Sequence, residues 1–210
     1  LNYALQDICE KALADATAQM GAIGGDIVVL DPRDGAILAL ASQRADPRTT
    51  AATTLSEPFE PGSTLKPFVA AALLERKRTR LDEVVNTENG VWTFNGRTVT
   101  DVHKAPEMSL REIIRESSNI GIIKLAQRLS AREQYEMLRD LGFGMATGVP
   151  YPAEAPGRLY APAQWSRTTP ASLAIGYEVS VTPLQLAAAY AAIANGGTLV
   201  EPSLVREVRA

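Results

Sequence analysis

The amino-terminal third of the chain alternates between a helical and a strand-like pattern of apolar residues. Apolar side chains recur at intervals of three and four and predict an amphipathic helix over roughly residues 3–20, at Leu5, Ile8, Ala12, Ala16 and Met20. Two aliphatic runs follow at residues 26–30 and 36–41, separated by a turn-forming sequence at 31–35. This arrangement predicts a β-hairpin. The polar residues 42–56 predict a surface loop.

The rest of the chain has mainly helical periodicity. A helix is expected to begin near Ser63 and to end in the charged residues 75–80. Ser109 and Glu112 have the spacing of a capping box, which predicts another helix. The polar run 117–119 interrupts this helix, and further helices are expected from there through Leu129 and over residues 135–141.

The carboxyl-terminal third of the chain begins with a segment that has little periodicity. Residues 144–170 contain five prolines and predict mostly loop. Thr182 and Pro183 are a favourable N-cap and first-turn pair, so they predict a helix over residues 184–194. The sequence Asn-Gly-Gly at 195–197 is expected to end it.

Composition narrows the classes of function. The chain has 210 residues, 46% hydrophobic and 21% charged, which is typical of a folded domain. The net charge of −3 provides no basic field, so we expect no nucleic-acid partner. The single cysteine, Cys9, excludes an internal disulfide and a CxxC site, and the single histidine, His103, excludes metal sites that need two histidines. No apolar run reaches the roughly 18 residues of a membrane span. Because a helical pattern starts at once after Leu1, we expect a piece of a longer protein.

Ser63 and Lys66 are the first candidates for chemistry. At a helix start, residues three apart lie on the same face, one turn from each other. A lysine desolvated by apolar neighbours loses its proton more easily and can activate a serine hydroxyl as a nucleophile. The alternative is an N-cap serine beside a solvated lysine, and the spacing alone does not exclude it.

Ser117 and Asn119 are the second pair of candidates. They lie on either side of one residue in a turn between two predicted helices, where both side chains can enter the same cleft. A hydroxyl there can relay a proton, and an amide can hold a peptide carbonyl. The alternative is that the Ser-Ser-Asn sequence only caps the helix ends with its side chains.

Both pairs occur together in one known family. S-x-x-K followed by a second, serine-containing motif is part of the signature of penicillin-binding proteins and related serine enzymes. Residues 57–67, Glu-Pro-Phe-Glu-Pro-Gly-Ser-Thr-Leu-Lys-Pro, closely resemble the active-site segment of class B penicillin-binding proteins, the cell-wall transpeptidases. Further segments resemble the same family in the same order, at 28–39, 116–121, 141–144 and 181–187. The Ser-Ser-Asn form of the second motif favours the septal, cell-division type.

The resemblance implies a fold and a division into lobes. The fold is α/β, of the penicillin-binding protein and serine β-lactamase type, with an all-helical lobe and a lobe built on a partial antiparallel sheet. We expect the sheet lobe to comprise residues 1–45 and 172–210. The mainly helical lobe is expected to comprise residues 46–171.

The resemblance also implies a reaction. Ser63 would be the acylated nucleophile, Lys66 its base, Ser117 the proton relay and Asn119 a ligand for the substrate backbone. The enzyme would attack the D-Ala-D-Ala bond of a peptidoglycan stem peptide, release D-alanine, and pass the acyl group to an amine of a neighbouring strand. β-Lactams would acylate the same serine, and no metal or organic cofactor is implied. The intact protein would have a membrane anchor, lie on the outer face of the bacterial inner membrane, and act with cell-division or glycosyltransferase partners.

The third part of the family signature, Lys-Ser-Gly or Lys-Thr-Gly, does not occur in the 210 residues. In the family it lies on a sheet strand that follows the helix beginning at Thr182-Pro183. We therefore expect the chain to be truncated before this strand. An incomplete sheet would leave an open edge, so we also expect self-association of the chain through that edge.

Other functions share the first two motifs. One is a β-lactam sensor or binding module that is acylated without turnover, and another is a catalytically inactive cell-division scaffold. A catalytic triad of Ser63, His103 and an acid is disfavoured, because Lys66 already supplies a base.

Overall fold

The structure is a computed structural model that describes residues 1–46 and 52–205. Its α-helices are α1 Tyr3–Met20, α2 Thr53–Ser56, α3 Lys66–Glu75, α4 Leu110–Arg115, α5 Asn119–Ala126, α6 Ala131–Asp140, α7 Thr169–Ala174 and α8 Pro183–Ala194. Its strands are β1 Gly24–Leu30, β2 Ile37–Arg44, β3 Val84–Asn86, β4 Val91–Phe94, β5 Arg97–Thr100, β6 Glu107–Ser109, β7 Arg158–Leu159 and β8 Val179–Ser180. Among the described helices, none has both the length and the apolar composition that crossing a membrane requires.

The chain forms two compact units. Unit 1 comprises Leu1–Phe59, Arg139–Arg158 and Ser180–Ala210, and unit 2 comprises Glu60–Leu138 and Leu159–Val179. These boundaries differ from those expected for the two lobes. The division into a sheet lobe at 1–45 and 172–210 and a helical lobe at 46–171 stays a prediction.

Unit 1 is built on the predicted hairpin. Strands β1 and β2 pair antiparallel, and their side chains alternate between two faces. One face packs on α1, where the core residues are Cys9, Leu13, Ala39 and Ala41 with Leu5, Ile27 and Val29 beside them. The other face contacts a second apolar cluster that includes Ile37, Val28, Leu40 and Leu184 of α8. The predictions of the first helix, the hairpin and the helix after Thr182-Pro183 are confirmed.

The outer edge of β2 is covered by the start of α1. The backbone N–H of Asn2 donates to the Leu38 carbonyl at 2.8 Å. The Gln6 side-chain amide then pairs with Leu40 in both directions, accepting from its N–H at 2.8 Å and donating to its carbonyl at 2.9 Å. A side chain thus occupies hydrogen-bonding groups that another strand would otherwise use. Within the described residues, β1 is hydrogen-bonded as a strand only to β2.

Unit 2 is organised around α5, which contacts α3, α4, α7 and strands β3 and β5. Most of α5 is buried because its sequence is apolar on nearly every side. The Lys124 ammonium lies 5.1 Å from the centre of the Trp92 ring and donates to the Glu88 carboxylate at 2.7 Å. These contacts hold β4 against α5. The predicted capping box of Ser109 and Glu112 is confirmed at the start of α4.

Four short strands of unit 2 correct the expectation of an all-helical lobe. β3 pairs with β6, and β4 pairs with β5. The β4–β5 turn is Asn95-Gly96, whose φ angles are 49° and 78°. Two successive residues with positive φ give the tight hairpin turn that Asn-Gly favours. The Asn-Gly pair is visible in the sequence and indicates a hairpin, which the expectation of an all-helical lobe did not include.

Several boundaries also differ from their predictions. The predicted loop at 42–56 contains the end of β2 and all of α2, while its residues 47–51 lie outside the described residues. The predicted loop at 144–170 includes β7 and the start of α7. Helix α6 begins at Ala131, before the predicted residue 135, because Ser130 and Glu133 cap its first turn reciprocally. Helix α5 ends at Ala126 and not at Leu129.

Candidate active site

Ser63 and Lys66 lie at the start of α3, as their spacing predicts. Ser63 belongs to the 3₁₀ turn Gly62–Leu65, and the Lys66 backbone N–H donates to the Ser63 carbonyl. Ser63 is exposed, whereas the Lys66 side chain is buried. Within residues 1–46 and 52–205, neither the Ser63 hydroxyl nor its backbone N–H forms a hydrogen bond. Both groups are therefore open to a substrate.

The Lys66 ammonium is hydrogen-bonded to two residues of the second motif. Its Nζ donates to the Ser117 carbonyl at 2.6 Å, to the Ser117 hydroxyl at 3.0 Å and to the Asn119 amide oxygen at 2.7 Å. These are the three hydrogen bonds that an ammonium can donate. Three of the four predicted site residues, Lys66, Ser117 and Asn119, therefore form one cluster, with Ser63 a single turn away.

The environment of Lys66 alters its protonation. Burial lowers the pKa of Lys66 to about 8, and the negative charge of Asp101 opposes this effect. Desolvation disfavours the charged form of a buried lysine, while an opposite charge favours it. A lysine with a pKa near 8 is partly neutral at physiological pH. It can therefore accept a proton from a neighbouring hydroxyl.

Ser117 has an unusual backbone conformation. Its φ of 55° lies in the left-handed region, where a residue with a side chain is disfavoured by roughly 1–2 kcal/mol. This conformation turns the chain between α4 and α5 and points the Ser117 carbonyl at Lys66. Strain of this kind is retained where the surrounding structure enforces it.

The neighbours of Ser117 enforce the turn. Ser118 is the N-cap of α5, and its hydroxyl accepts from the Gly121 N–H at 2.9 Å. The Asn119 amide nitrogen donates to the Thr100 carbonyl at 3.0 Å. The Asp101 carboxylate accepts from the Ser118 hydroxyl at 2.5 Å and from the Asn119 backbone N–H at 2.6 Å. The end of the β4–β5 hairpin therefore holds the second motif in place.

The sequence matches the transpeptidase domain of penicillin-binding proteins over residues 25–210. The chain belongs to this family.

Individual members of the penicillin-binding protein family resemble the chain along almost its whole length. A probable peptidoglycan D,D-transpeptidase of Pseudomonas aeruginosa, PbpC, is 35% identical over 99% of this chain and 38% of its own length. The chain thus spans less than two fifths of that relative.

Solved structures of penicillin-binding proteins share the fold. The transpeptidase domain of penicillin-binding protein 3 from Burkholderia pseudomallei has a TM-score of 0.92 and 32% identity, covering 99% of this chain and 61% of that one. Penicillin-binding protein 3 of Mycobacterium tuberculosis in complex with aztreonam has a TM-score of 0.89 and 34% identity, covering 96% and 48%. The predicted family and the α/β transpeptidase fold are confirmed.

The site of this penicillin-binding protein domain includes residues that the motifs do not name. Thr100 and Asp101 contact the second motif through space, from the end of a hairpin. The Asn95-Gly96 turn signals that hairpin in the sequence, but no local pattern indicates which residues its end contacts. The roles of Ser63, Lys66, Ser117 and Asn119 in catalysis stay a prediction.

His103 does not supply a triad. Its side chain is exposed, and its Nδ1 lies 3.8 Å from a carboxylate oxygen of Glu116. Glu116 in turn forms an ion pair with Arg115 at 2.7 Å. Lys66 is therefore the basic group that the structure places beside the second motif.

Proposed function

We propose that this chain is the acylating part of a peptidoglycan D,D-transpeptidase. The observation that carries the proposal is the buried Lys66, whose ammonium is bonded to Ser117 and Asn119 one turn from the exposed Ser63. A surface lysine beside a capping serine would not be buried with its ammonium bonded to three acceptor atoms, and its pKa would not be lowered to about 8. Membership of the transpeptidase family supports the same reaction.

In the acylation step, the Ser63 hydroxyl oxygen attacks the carbonyl carbon of the D-Ala-D-Ala bond. Neutral Lys66 accepts the hydroxyl proton, and the tetrahedral oxyanion forms beside the free Ser63 N–H. When the C–N bond breaks, the departing amine of D-alanine takes up a proton. Ser117 relays this proton from Lys66, to which its hydroxyl is bonded at 3.0 Å. The products are an ester on Ser63 and free D-alanine.

In the transfer step, an amine from a second stem peptide attacks the Ser63 ester. A new amide bond forms, the C–O bond to Ser63 breaks, and the amine proton returns to the Ser63 oxygen through the same Lys66 and Ser117 pair. Asn119 is suited to bind the peptide backbone of the acyl donor, because its amide is oriented by bonds at both ends. The two strands are then cross-linked.

β-Lactams are proposed as ligands of the same serine. Attack by Ser63 opens the lactam amide and leaves the antibiotic as an ester on the enzyme. The relative from Mycobacterium tuberculosis was solved in complex with aztreonam and, separately, with ampicillin. We propose the bacterial cell envelope as the location, with a membrane anchor and cell-division or glycosyltransferase partners for the intact protein.

The proposal is tested by incubating the protein with a fluorescent penicillin and measuring its intact mass. We expect one covalent adduct per chain, located on the peptide that contains Ser63. Ser63→Ala is expected to abolish the adduct, and Lys66→Ala to slow its formation by about 10²- to 10⁴-fold. No adduct, or an adduct at another residue, would overturn the proposal and favour the inactive scaffold.

A second measurement separates the transpeptidase from a β-lactam sensor. The protein is supplied with a thioester analogue of the stem peptide and with a D-amino acid as acceptor amine. A transpeptidase releases the thiol and forms the new amide, whereas a sensor is acylated and forms no amide. Thr198→Ala is a suitable control, because Thr198 lies in unit 1 and its backbone N–H and carbonyl pair with Asn195.

A further inference from the structure

Asp101 is a buried acid directly after β5, and the family motifs do not include it. Its side chain is 5% exposed. The carboxylate accepts from the Ser118 hydroxyl at 2.5 Å and from the backbone N–H groups of Asn119 at 2.6 Å and Ile120 at 3.1 Å. All three donors belong to the turn that carries the second motif. Asp101 therefore binds the amino-terminal end of α5 from outside the helix.

This arrangement holds Asn119 from two directions. The Asp101 carboxylate binds the Asn119 backbone, and the neighbouring Thr100 carbonyl binds the Asn119 side-chain amide at 3.0 Å. With both groups held, the amide oxygen of Asn119 is directed at Lys66. Ser117 precedes these anchored residues, and its left-handed backbone brings its carbonyl to the same ammonium.

Asp101 also acts on Lys66 through its charge. Its negative charge raises the pKa of Lys66 against the larger, opposite effect of burial. Other acids on the adjoining segments are engaged elsewhere: Glu116 pairs with Arg115 and lies 3.8 Å from His103, and Glu112 accepts from Ser109. Among the described residues, Asp101 is thus the acid whose charge shifts the pKa of Lys66.

We propose that Asp101 is a positioning residue of the active site, whose carboxylate holds the turn of Ser117 and Asn119 against the Lys66 ammonium. The proposal rests on the proposed function for its effect on rate, because Asp101 touches the motif and not the reacting atoms. Its effect on Lys66 can be measured without any reaction.

The first experiment measures Lys66 directly. The protein is labelled with ¹³C-lysine, and the five lysines are titrated by NMR, with Lys66→Ala identifying the signal. Asp101→Asn retains the shape and an acceptor for the two backbone N–H groups, but removes the charge. We expect the Lys66 midpoint to fall by about one pH unit in this variant. An unchanged midpoint would overturn the proposal.

The second experiment tests whether Asp101 positions the turn of Ser117 and Asn119. It measures the rate of acylation with a labelled penicillin. The rate is followed to a pH well above 8, where Lys66 is neutral in every variant and its charge no longer matters. At this plateau we expect Asp101→Ala to be about 10- to 100-fold slower than the wild type. Asp101→Asn is expected to keep most of the plateau rate and to shift the acid limb of the profile to lower pH. An unchanged plateau in a folded Asp101→Ala protein contradicts the positioning role.

Glu112→Gln is the matched control. Glu112 also caps a helix in unit 2, but its carboxylate bonds to Ser109 and makes no bond to Ser117, Ser118 or Asn119. We expect this variant to lose stability while the Lys66 midpoint and the acylation profile stay as in the wild type. The same midpoint shift in Glu112→Gln would show a general effect of unfolding and would overturn the proposal.

Failure of the proposed function gives a different result. If the wild type forms no penicillin adduct but Asp101→Asn still lowers the Lys66 midpoint, the transpeptidase assignment is wrong while the electrostatic role of Asp101 stands. If the wild type is acylated and neither Asp101 variant changes the midpoint or the plateau, the role of Asp101 is wrong while the function stands.

Discussion

The Lys66 ammonium donates a 2.7 Å hydrogen bond to the Asn119 amide oxygen, although the two residues are 53 positions apart. One belongs to the start of α3 and the other to the start of α5. The contact joins the first and second motifs into one cluster. It also provides a hydrogen-bond acceptor for the buried Lys66 ammonium, and this burial lowers the pKa of Lys66 to about 8.

The lowered pKa of Lys66 predicts a pH dependence of stability. Below pH 8 the folded and unfolded states both bind the proton, so folding carries the full penalty of burying the charge. Between about 8 and the ordinary value of 10.5, only the unfolded state binds it, and the free energy of unfolding rises with pH. We expect the wild type to gain about 2–3 kcal/mol relative to Lys66→Met from pH 7 to pH 10. Urea denaturation of both proteins at each pH measures this, and parallel curves would refute it.

Asn119→Ala removes an acceptor from the buried ammonium. We expect the pKa of Lys66 to fall further, since the charged form loses a hydrogen bond. The substitution leaves one proton of the Lys66 ammonium and the Thr100 carbonyl without a hydrogen-bond partner. We expect this loss to reduce the free energy of unfolding by about 1–3 kcal/mol. Denaturation and the lysine NMR titration measure the two effects. Gln127→Ala is the control at the other end of α5, where the amide is exposed and a loss below about 0.5 kcal/mol is expected.

Gly176 supports the backbone before Ser63. The Gly62 N–H donates to the Gly176 carbonyl at 3.0 Å, and a Cβ at Gly176 would overlap the Gly62 backbone. Gly176→Ala is therefore expected to displace Gly62 and slow acylation of Ser63 by at least roughly ten-fold. Gly196→Ala also has a positive φ but has open space around its Cβ position. It should cost about 1–2 kcal/mol of stability and leave the rate unchanged.

Gly96 maintains the turn of the hairpin that ends at Thr100. Its φ of 78° disfavours any residue with a Cβ, and the space around it is open. We expect Gly96→Ala to loosen the hairpin, so that the Asn119 and Ile120 amides exchange with deuterium roughly ten-fold faster. Gly148→Ala, with φ of 88° and equally open space, should not affect these amides. If only the amides of the hairpin exchange faster in Gly96→Ala, the hairpin does not stabilise the second motif and the prediction is wrong.

The self-association expected from the sequence is tested by sedimentation. Within the described residues, β1 pairs with β2 alone, and all seven of its residues are partly exposed. The other edge of the pair is covered by Asn2 and Gln6. We expect a concentration-dependent dimer. A monomer at every concentration contradicts this expectation.

Local patterns in the sequence determined much of the fold. The periodicity of α1, the alternation of β1 and β2, and the caps at Ser109 and Thr182 depend on residues within a few positions of one another. For this reason they could be predicted from the chain alone. The S-x-x-K spacing likewise placed Ser63 and Lys66 one turn apart, because the helix relates them directly.

Only the tertiary structure decided what surrounds Lys66. Its burial, its bonds to Ser117 and Asn119, and the charge of Asp101 result from packing α3 and the end of a hairpin against the start of α5. These contacts join residues separated by 17 to 53 positions, and no local spacing encodes which of them meet. A lysine's pKa depends on its solvation and on charges across space, so the sequence could indicate the candidate base but not its protonation state.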